Sequence, residues 1–183
     1  MTGSRHYFIG VQIHEQLAHQ IKKDVDARSG LYFQKWTAPA DYHVTLVFLG
    51  AIAKKRLEHI IELLEKLSKD TAAFPLELYH LDSFGQKEKP RVFFAKPNES
   101  TPLMQLREKV KKAVVTTGHP VETRPFHPHM TIARKWDTDQ PFVEQAPLRE
   151  VPYTMDVSSI ALFEIRPEET PRYHAIKRFT LHK

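Results

Sequence analysis

Two stretches of the sequence decide its organisation: DYHVTLVFLG at residues 41–50 and FHPHMTIARK at residues 126–135. Each contains a histidine, one intervening residue, a threonine and an aliphatic residue. Neighbouring side chains on a β-strand point to opposite faces, so His43 shares a face with Thr45, and His129 shares a face with Thr131. The apolar residues Val44, Leu46, Met130 and Ile132 then fill the opposite faces. The repeated pattern predicts two strands that each present one polar pair.

The segments around these two strands alternate between strand and helix patterns. Short β-rich runs predict further strands at HYFIGVQI (6–13), FPLELYHLDSF (74–84), RVFFAK (91–96), TMDVSSIALFEI (154–165) and YHAIKRFTL (173–181). The motif strands themselves are predicted over HVTLVFLG (43–50) and HPHMTIAR (127–134). Their boundaries follow from runs of β-branched and aromatic residues that end at glycine, proline or charged residues.

Apolar residues spaced three and four apart predict three helices, each with one buried face. The apolar positions are Leu17, Ile21 and Val25; then Leu57, Ile60, Ile61, Leu64 and Leu67; then Leu103, Leu106, Val110, Ala113 and Val114. In the third helix Thr101 is predicted as the N-cap, with Pro102 at the first helical position and Gly118 as the stop.

These elements predict an α+β chain of two similar lobes within one domain over residues 1–183. The lobes are expected to be interleaved and to correspond approximately to the halves 1–88 and 89–183, with a break near GQKEKP at 85–90. No Gly/Ser-rich tract indicates a flexible linker. If the lobes pack with pseudo-twofold symmetry, the two polar pairs face each other across one groove.

The composition limits the kinds of function that the chain can have. Apolar residues make up 41% and charged residues 27%, and no run approaches the roughly 20 apolar residues of a membrane span. The stretch MTGSRHYFIGVQI is not typical of a signal peptide, so a cytoplasmic protein is expected. The absence of cysteine excludes disulfides and thiolate chemistry. A net charge of +5 is compatible with a polyanionic partner such as RNA.

A cluster of two imidazoles and two hydroxyls suits in-line displacement at phosphorus. A neutral imidazole can take a proton from attacking water while a protonated one gives a proton to the departing oxygen. Threonine hydroxyls can donate hydrogen bonds to the non-bridging oxygens of phosphate, and no metal or other cofactor is required. His127, two residues before His129, shares its face and is either a substrate contact or a residue of the groove rim. One His-x-Thr tripeptide alone is common in ordinary strands.

Taken in order, these motifs resemble the two-histidine (2H) phosphoesterases, and within them the bacterial and archaeal RNA 2',3'-cyclic phosphodiesterases once called 2'-5' RNA ligases. RHYFIGVQI resembles the opening strand of the family, YHVTLVFLG its first motif, RPFHPHMTIAR its second motif, and ALFEI with PRYHAIKRFTL its closing strands. The resemblance implies an enzyme whose two lobes of antiparallel sheet, with outer helices, flank a central groove. The implied reaction opens an RNA-terminal cyclic phosphate to a 2'-phosphomonoester, and we expect a monomer.

Carried over residue by residue, the resemblance makes His43 the proton donor and His129 the proton acceptor. The phosphate ligands would be Thr45 and Thr131. Arg134 matches the arginine that closes the second motif, although strict alternation places it off the face of Thr131. Its contact with phosphate therefore requires the strand to bend or end there, and an ion pair at the strand end is the alternative.

Two segments depart from the family pattern. The family commonly has Glu-Ser-x-Leu after LFE, whereas this chain has FEIRPEETPRY, and the glycine-rich loop before PRVFF is replaced by FGQKEKPR. Both lie near the expected groove rim, so they bear on substrate preference. Candidate contacts with a base or the RNA backbone are Tyr173, Arg91, Phe84 and Phe126, with core packing as the alternative.

Other functions are compatible with the same groove. These are 2'-5' ligation, hydrolysis of a small nucleotide with a cyclic phosphate, and non-catalytic binding of RNA. Water in excess favours hydrolysis over ligation. A metal site is the weakest alternative, because the motifs supply no nearby carboxylate at ligand spacing and threonine is a poor ligand.

Overall fold

The computed structural model describes residues 5–183, which form nine strands and three α-helices. The first residues of the stretch considered as a signal peptide, 1–4, lie outside the described part. The strands are β1 (His6–Gln12), β2 (Phe33–Trp36), β3 (His43–Ala51), β4 (Phe74–Gly85), β5 (Pro90–Pro97), β6 (Met130–Trp136), β7 (Tyr153–Val157), β8 (Ser159–Ile165) and β9 (Tyr173–Thr180). The helices are α1 (Glu15–Asp26), α2 (Lys54–Lys69) and α3 (Thr101–Thr116).

The three helices bury the faces that their apolar spacing predicted. The buried positions are Leu17, Ala18, Ile21 and Val25 on α1, Leu57, Ile60 and Leu64 on α2, and Leu103, Leu106, Val110 and Val114 on α3. The predicted positions Ile61, Leu67 and Ala113 are half-buried. The predicted N-cap of α3 is wrong by one residue. Ser100 has extended backbone and its hydroxyl accepts the Leu103 N–H, so Thr101 is already helical. Gly118, with φ of +76°, follows the last turn as predicted.

All the strands belong to one antiparallel sheet with the order β7-β4-β5-β6-β3-β1-β8-β9, and β2 pairs with the later residues of β6 on the side opposite β5. The two motif strands, β3 and β6, are neighbours at its centre. They pair at a single position, Val44 with Met130, and each of these residues directly follows a motif histidine. This pair divides the sheet into two strand groups, as the α+β bilobal prediction required.

The two strand groups are interleaved in sequence. One group contains β1, β3, β8 and β9, from both ends of the chain, and the other contains β2, β4, β5, β6 and β7. Residues 85–90, where a break was predicted, contain the turn of the β4–β5 hairpin, in which Leu78 pairs with Pro97 and Gly85 pairs with Pro90. The halves 1–88 and 89–183 therefore differ from the two groups of strands. Hairpin pairing is local in sequence, and this keeps β4 beside β5 across the midpoint.

Several strands also differ from those expected. β2 has only four residues, three of them exposed, and so lacks the apolar run that would have predicted it. The segment TMDVSSIALFEI forms two strands, β7 and β8, which pair with different neighbours on either side of Ser158. β6 begins at Met130 instead of residue 127, so His129 lies immediately before the strand.

Candidate active site

Both polar pairs line one groove at the junction of β3 and β6. Its lining residues are Phe8, Thr37, His43, Thr45, Phe48, His129, Thr131, Arg134, Ile165 and Tyr173. Counting outward from the antiparallel Val44–Met130 pair places His43 towards Thr131 and Thr45 towards His129. The two motifs are thus related by a local pseudo-twofold axis, which brings their four polar side chains together.

Each motif strand contains a register shift three residues after its histidine. In β3 the pairing with β1 passes over Leu46, and in β6 the pairing with β5 passes over Ile132. Such a shift breaks the alternation of faces, so Leu46 and the next residue are both buried, as are Ile132 and its successor. The side chains two residues beyond each shift return to the groove. They are Phe48 on β3 and Arg134 on β6.

The register shift in β6 turns the Arg134 side chain into the groove, whereas strict alternation predicted the opposite face. Its Nη2 donates to Thr131 Oγ1 at 3.4 Å, and its side chain is exposed in the groove. The alternative of an ion pair at the strand end does not hold, because Arg134 has no carboxylate within salt-bridge distance among residues 5–183. The guanidinium is therefore available to an anion in the groove.

His43 is held at both ring nitrogens. Its Nδ1–H donates to the Asp41 main-chain carbonyl at 2.7 Å, and its Nε2 lies 3.0 Å from Thr45 Oγ1. The Asp41 contact leaves the proton of the neutral imidazole on Nδ1 and directs Nε2 into the groove. Phe8 packs on the ring at 4.6 Å between centroids, and Tyr173 contacts it edge-on at 4.8 Å.

His129 is held in the corresponding way. Its Nδ1–H donates to the main-chain carbonyl of His127 at 2.8 Å, again two residues earlier in the chain. Phe84 and Phe94 pack around its ring at 5.0 and 5.3 Å between centroids. The Nε2 atom has no hydrogen-bond partner among residues 5–183, so its lone pair is free for a ligand.

Burial favours the neutral form of both imidazoles. The pKa of His43 is lowered to about 4, chiefly by burial, and also by the charges of His129 and Arg134 against the opposing influence of Asp41. The pKa of His129 is also lowered, chiefly by burial, with further contributions from Arg134 and His127. His43 is therefore neutral at neutral pH.

The other candidate residues fall into two groups. Tyr173 and Phe84 contact the two histidine rings, and thus lie at the site. Phe126 instead packs against the core and under the guanidinium of Arg107, 5.3 Å from the ring centroid. Arg91 is exposed on β5 and lines no part of the groove. Phe126 therefore packs against Arg107 of α3 through a cation–π contact, which the sequence pattern does not reveal.

His127 contributes its backbone to the site. Its carbonyl orients His129, while its side chain is exposed and is absent from the groove lining. Sequence reasoning missed four lining residues, Phe8, Thr37, Phe48 and Ile165. Phe48 could have been found only from the register shift in β3, because strict alternation from Thr45 puts it on the opposite face.

Among residues 5–183, no group of three or more histidine, aspartate or glutamate side chains is arranged to hold a metal ion. Within the same residues, no helix has both the length and the apolar character that a membrane crossing requires.

Comparison with known proteins identifies the class to which this groove belongs. The fold matches Escherichia coli LigT, in its complex with 3'-AMP, with a TM-score of 0.82 at 20% identity over 99% of this chain and 100% of the other. The profile of the 2'-5' RNA ligase superfamily matches residues 12–169. The chain therefore belongs to the 2'-5' RNA ligase superfamily, the 2H phosphoesterases, and the resemblance found in the motifs is confirmed.

Two relatives carry the name RNA 2',3'-cyclic phosphodiesterase. That of Bacillus subtilis (strain 168) is 38% identical over 176 residues, which cover 96% of each chain. That of Geobacillus stearothermophilus is 37% identical over 180 residues, which cover 96% of this chain and 57% of the relative. The first match extends along nearly the full length of both proteins.

Proposed function

We propose that this chain hydrolyses a terminal 2',3'-cyclic phosphodiester of RNA to a 2'-phosphomonoester without a metal ion. The observation that carries the proposal is the convergence of His43, Thr45, His129 and Thr131 in one groove, with each imidazole fixed through Nδ1. The relatives named RNA 2',3'-cyclic phosphodiesterase support the substrate class. Geometry and relatives thus favour the same reaction.

The reaction requires one proton acceptor and one proton donor on opposite sides of phosphorus. Neutral His129 takes a proton from water through Nε2 as the water oxygen forms a bond to phosphorus. The bond between phosphorus and O3' breaks, and protonated His43 gives the proton on Nε2 to O3'. One water is consumed, and the product has a 2'-phosphate and a free 3'-hydroxyl. Each such proton transfer contributes roughly 10²–10⁴-fold to the rate.

Three further side chains stabilise the charge that develops on the phosphate oxygens. The hydroxyls of Thr45 and Thr131 donate hydrogen bonds to the non-bridging oxygens, and Arg134, 3.4 Å from the Thr131 hydroxyl, supplies a positive charge. All three lie on strands fixed within the sheet, so they are oriented before the substrate binds. This orientation reduces the reorganisation that the transition state requires.

His43 must carry a proton on Nε2 before it can act as the donor. His43, with a pKa lowered to about 4, is neutral at neutral pH until an anion binds. A phosphate in contact with Nε2 favours the imidazolium form, because opposite charges attract strongly in a partly buried site. Binding of the cyclic phosphate therefore raises the pKa of His43, and the imidazole becomes protonated.

The groove also has walls that suit one nucleotide at an RNA end. Phe48, whose side chain is 55% exposed, and Tyr173 provide aromatic surface for a base, while Arg134 provides charge for the backbone. One copy of the chain supplies every group in the mechanism, so a monomer is sufficient. We place the reaction in the cytoplasm.

The test is product analysis with a 5'-labelled oligoribonucleotide that ends in a 2',3'-cyclic phosphate. We expect many turnovers in EDTA and a product with only a 2'-phosphate. Hydrolysis of 2',3'-cyclic AMP in preference to the oligonucleotide would instead support a small-nucleotide substrate. Binding without accumulation of product would contradict the enzymatic function, and activity that requires zinc would contradict the two-imidazole mechanism.

A further inference from the structure

Asp41 is a buried carboxylate outside the His-x-Thr motif. Its side chain is 4% exposed, and its two carboxylate oxygens accept the main-chain N–H of Arg172 at 2.9 and 3.0 Å. One of these oxygens also accepts the N–H of Tyr173 at 3.0 Å. No lysine, arginine or histidine of residues 5–183 forms a salt bridge with it. Its negative charge is thus stabilised by backbone dipoles, without a cation.

The same residue touches the catalytic imidazole from two directions. Its main-chain carbonyl accepts the Nδ1–H of His43 at 2.7 Å. Its carboxylate fastens the first residue of β9, Tyr173, whose ring edge packs on the His43 ring at 4.8 Å. Asp41 therefore connects the segment before β3 with the loop between β8 and β9. This loop belongs to the stretch FEIRPEETPRY, which departs from the family pattern.

The charges around the two histidines differ at this position. Three charged or titratable groups act on His43: Asp41 in the segment before β3, His129 just before β6, and Arg134 on β6. Of these, only Asp41 favours the protonated ring. The other elements packed on His43 present the rings of Phe8, Phe163 and Tyr173. The residue that corresponds to Asp41 in the second motif, two positions before the histidine, is the basic residue His127.

We propose that Asp41 is a positioning residue for His43: its carbonyl fixes the ring tautomer, its carboxylate docks Tyr173 against the ring, and its charge favours the imidazolium form. This inference rests on the proposed role of His43 as proton donor. It gives a physical reason for the asymmetry between two otherwise similar motif strands. Asparagine could satisfy the same N–H groups through Oδ1, so the charge of Asp41 is not required for these hydrogen bonds.

The experiment compares the wild type with Asp41→Asn, which is nearly isosteric, and with Asp156→Asn, which removes an exposed carboxylate on β7. The pKa of each groove histidine is measured by NMR titration of the free protein. In Asp41→Asn we expect the pKa of His43 to fall by about one pH unit and that of His129 to move much less. We also expect kcat/KM at neutral pH to fall about tenfold, mainly through kcat. Asp156→Asn should match the wild type.

An unchanged pKa of His43 in a folded Asp41→Asn protein would overturn the proposal, as would equal shifts in both histidines, which indicate general loosening. If the variant does not fold, the wild-type ¹⁵N spectrum decides, because the Asp41 carbonyl requires a proton on Nδ1 of neutral His43. A proton on Nε2 would overturn the assignment. The titration does not depend on catalysis, so it tests the role of Asp41 separately from the proposed function. Failure of the proposed function would appear instead as full activity of His43→Ala.

Discussion

Residues 43–48 of β3 and 129–134 at the start of β6 share one backbone plan but lie in different electrical surroundings. In both, the Nδ1–H of histidine donates to a carbonyl two residues earlier, and a register shift follows three residues later. Yet the side chain that returns to the groove is Phe48 in one segment and Arg134 in the other. The residue two positions before histidine is acidic Asp41 in one and basic His127 in the other.

In the proposed mechanism, this difference accounts for the opposite tasks of two similar segments. Backbone symmetry places the two imidazoles in one groove, beside the Val44–Met130 pair. The neighbouring charges then differ: Asp41 favours the protonated form of His43 and His127 disfavours that of His129, while burial and Arg134 lower the pKa of both rings, that of His43 to about 4. Geometry thus creates the pair, and the neighbouring charges distinguish its members.

The largest expected effect tests the shared plan. His43→Ala and His129→Ala should each lower kcat by roughly 10³-fold or more, because each removes one of the two proton transfers. The double variant should lose little beyond either single one, since the two residues act as a unit. Single-turnover kinetics with the cyclic-phosphate oligonucleotide provide the measurement. The control is His127→Ala, which keeps the carbonyl that orients His129 and should remain close to wild type. Substantial turnover by His43→Ala or His129→Ala would contradict the claim that the two segments form one catalytic pair.

A smaller effect tests the difference between the groove walls. Arg134→Phe makes the second segment resemble the first, and we expect kcat/KM to fall about ten- to a hundredfold, as is typical when a hydrogen bond to a charged group is lost. The dependence of KM on salt should weaken at the same time, because a cation has been removed. Phe48→Ala is the matched change on the other wall, and it should raise KM while leaving the salt dependence intact. Equal salt dependence in the wild type and Arg134→Phe would argue against a phosphate contact.

The smallest expected effect concerns stability at low pH. Folding lowers the pKa of His43 from 6.5 to about 4, so the unfolded chain binds its proton first. The stabilisation is complete above about pH 6.5 and is lost as the pH falls towards 4. With allowance for partial solvent exposure, His43 contributes about 2 kcal/mol to this loss, and His129 adds to it in the same direction.

Urea unfolding at pH 7, 5.5 and 4 measures this contribution in the wild type and in His43→Gln. The variant should lose less stability on acidification, whereas His59→Gln on the exposed side of α2 should behave like the wild type. Identical pH profiles for the wild type and His43→Gln would contradict the burial of a neutral imidazole.

The sequence by itself determined the features that depend on local periodicity. Alternation placed Val44 and Met130 in the core, and they are fully buried. The spacing of Leu57, Ile60 and Leu64 likewise predicted the buried face of α2. These patterns are readable because burial repeats with the period of the strand or helix itself. The repeated His-x-Thr motif was sufficient to indicate the family.

Only the tertiary structure decided how the motif strands meet and what surrounds them. The register shift at Ile132 depends on pairing with β5, and this shift, not the local alternation, brings Arg134 into the groove. The contact of Asp41 with Tyr173 joins residues separated by 132 positions, so no local pattern contains it. Strand register and long-range hydrogen bonds depend on which neighbours pack together, whereas the faces of a strand or helix depend only on its own repeat.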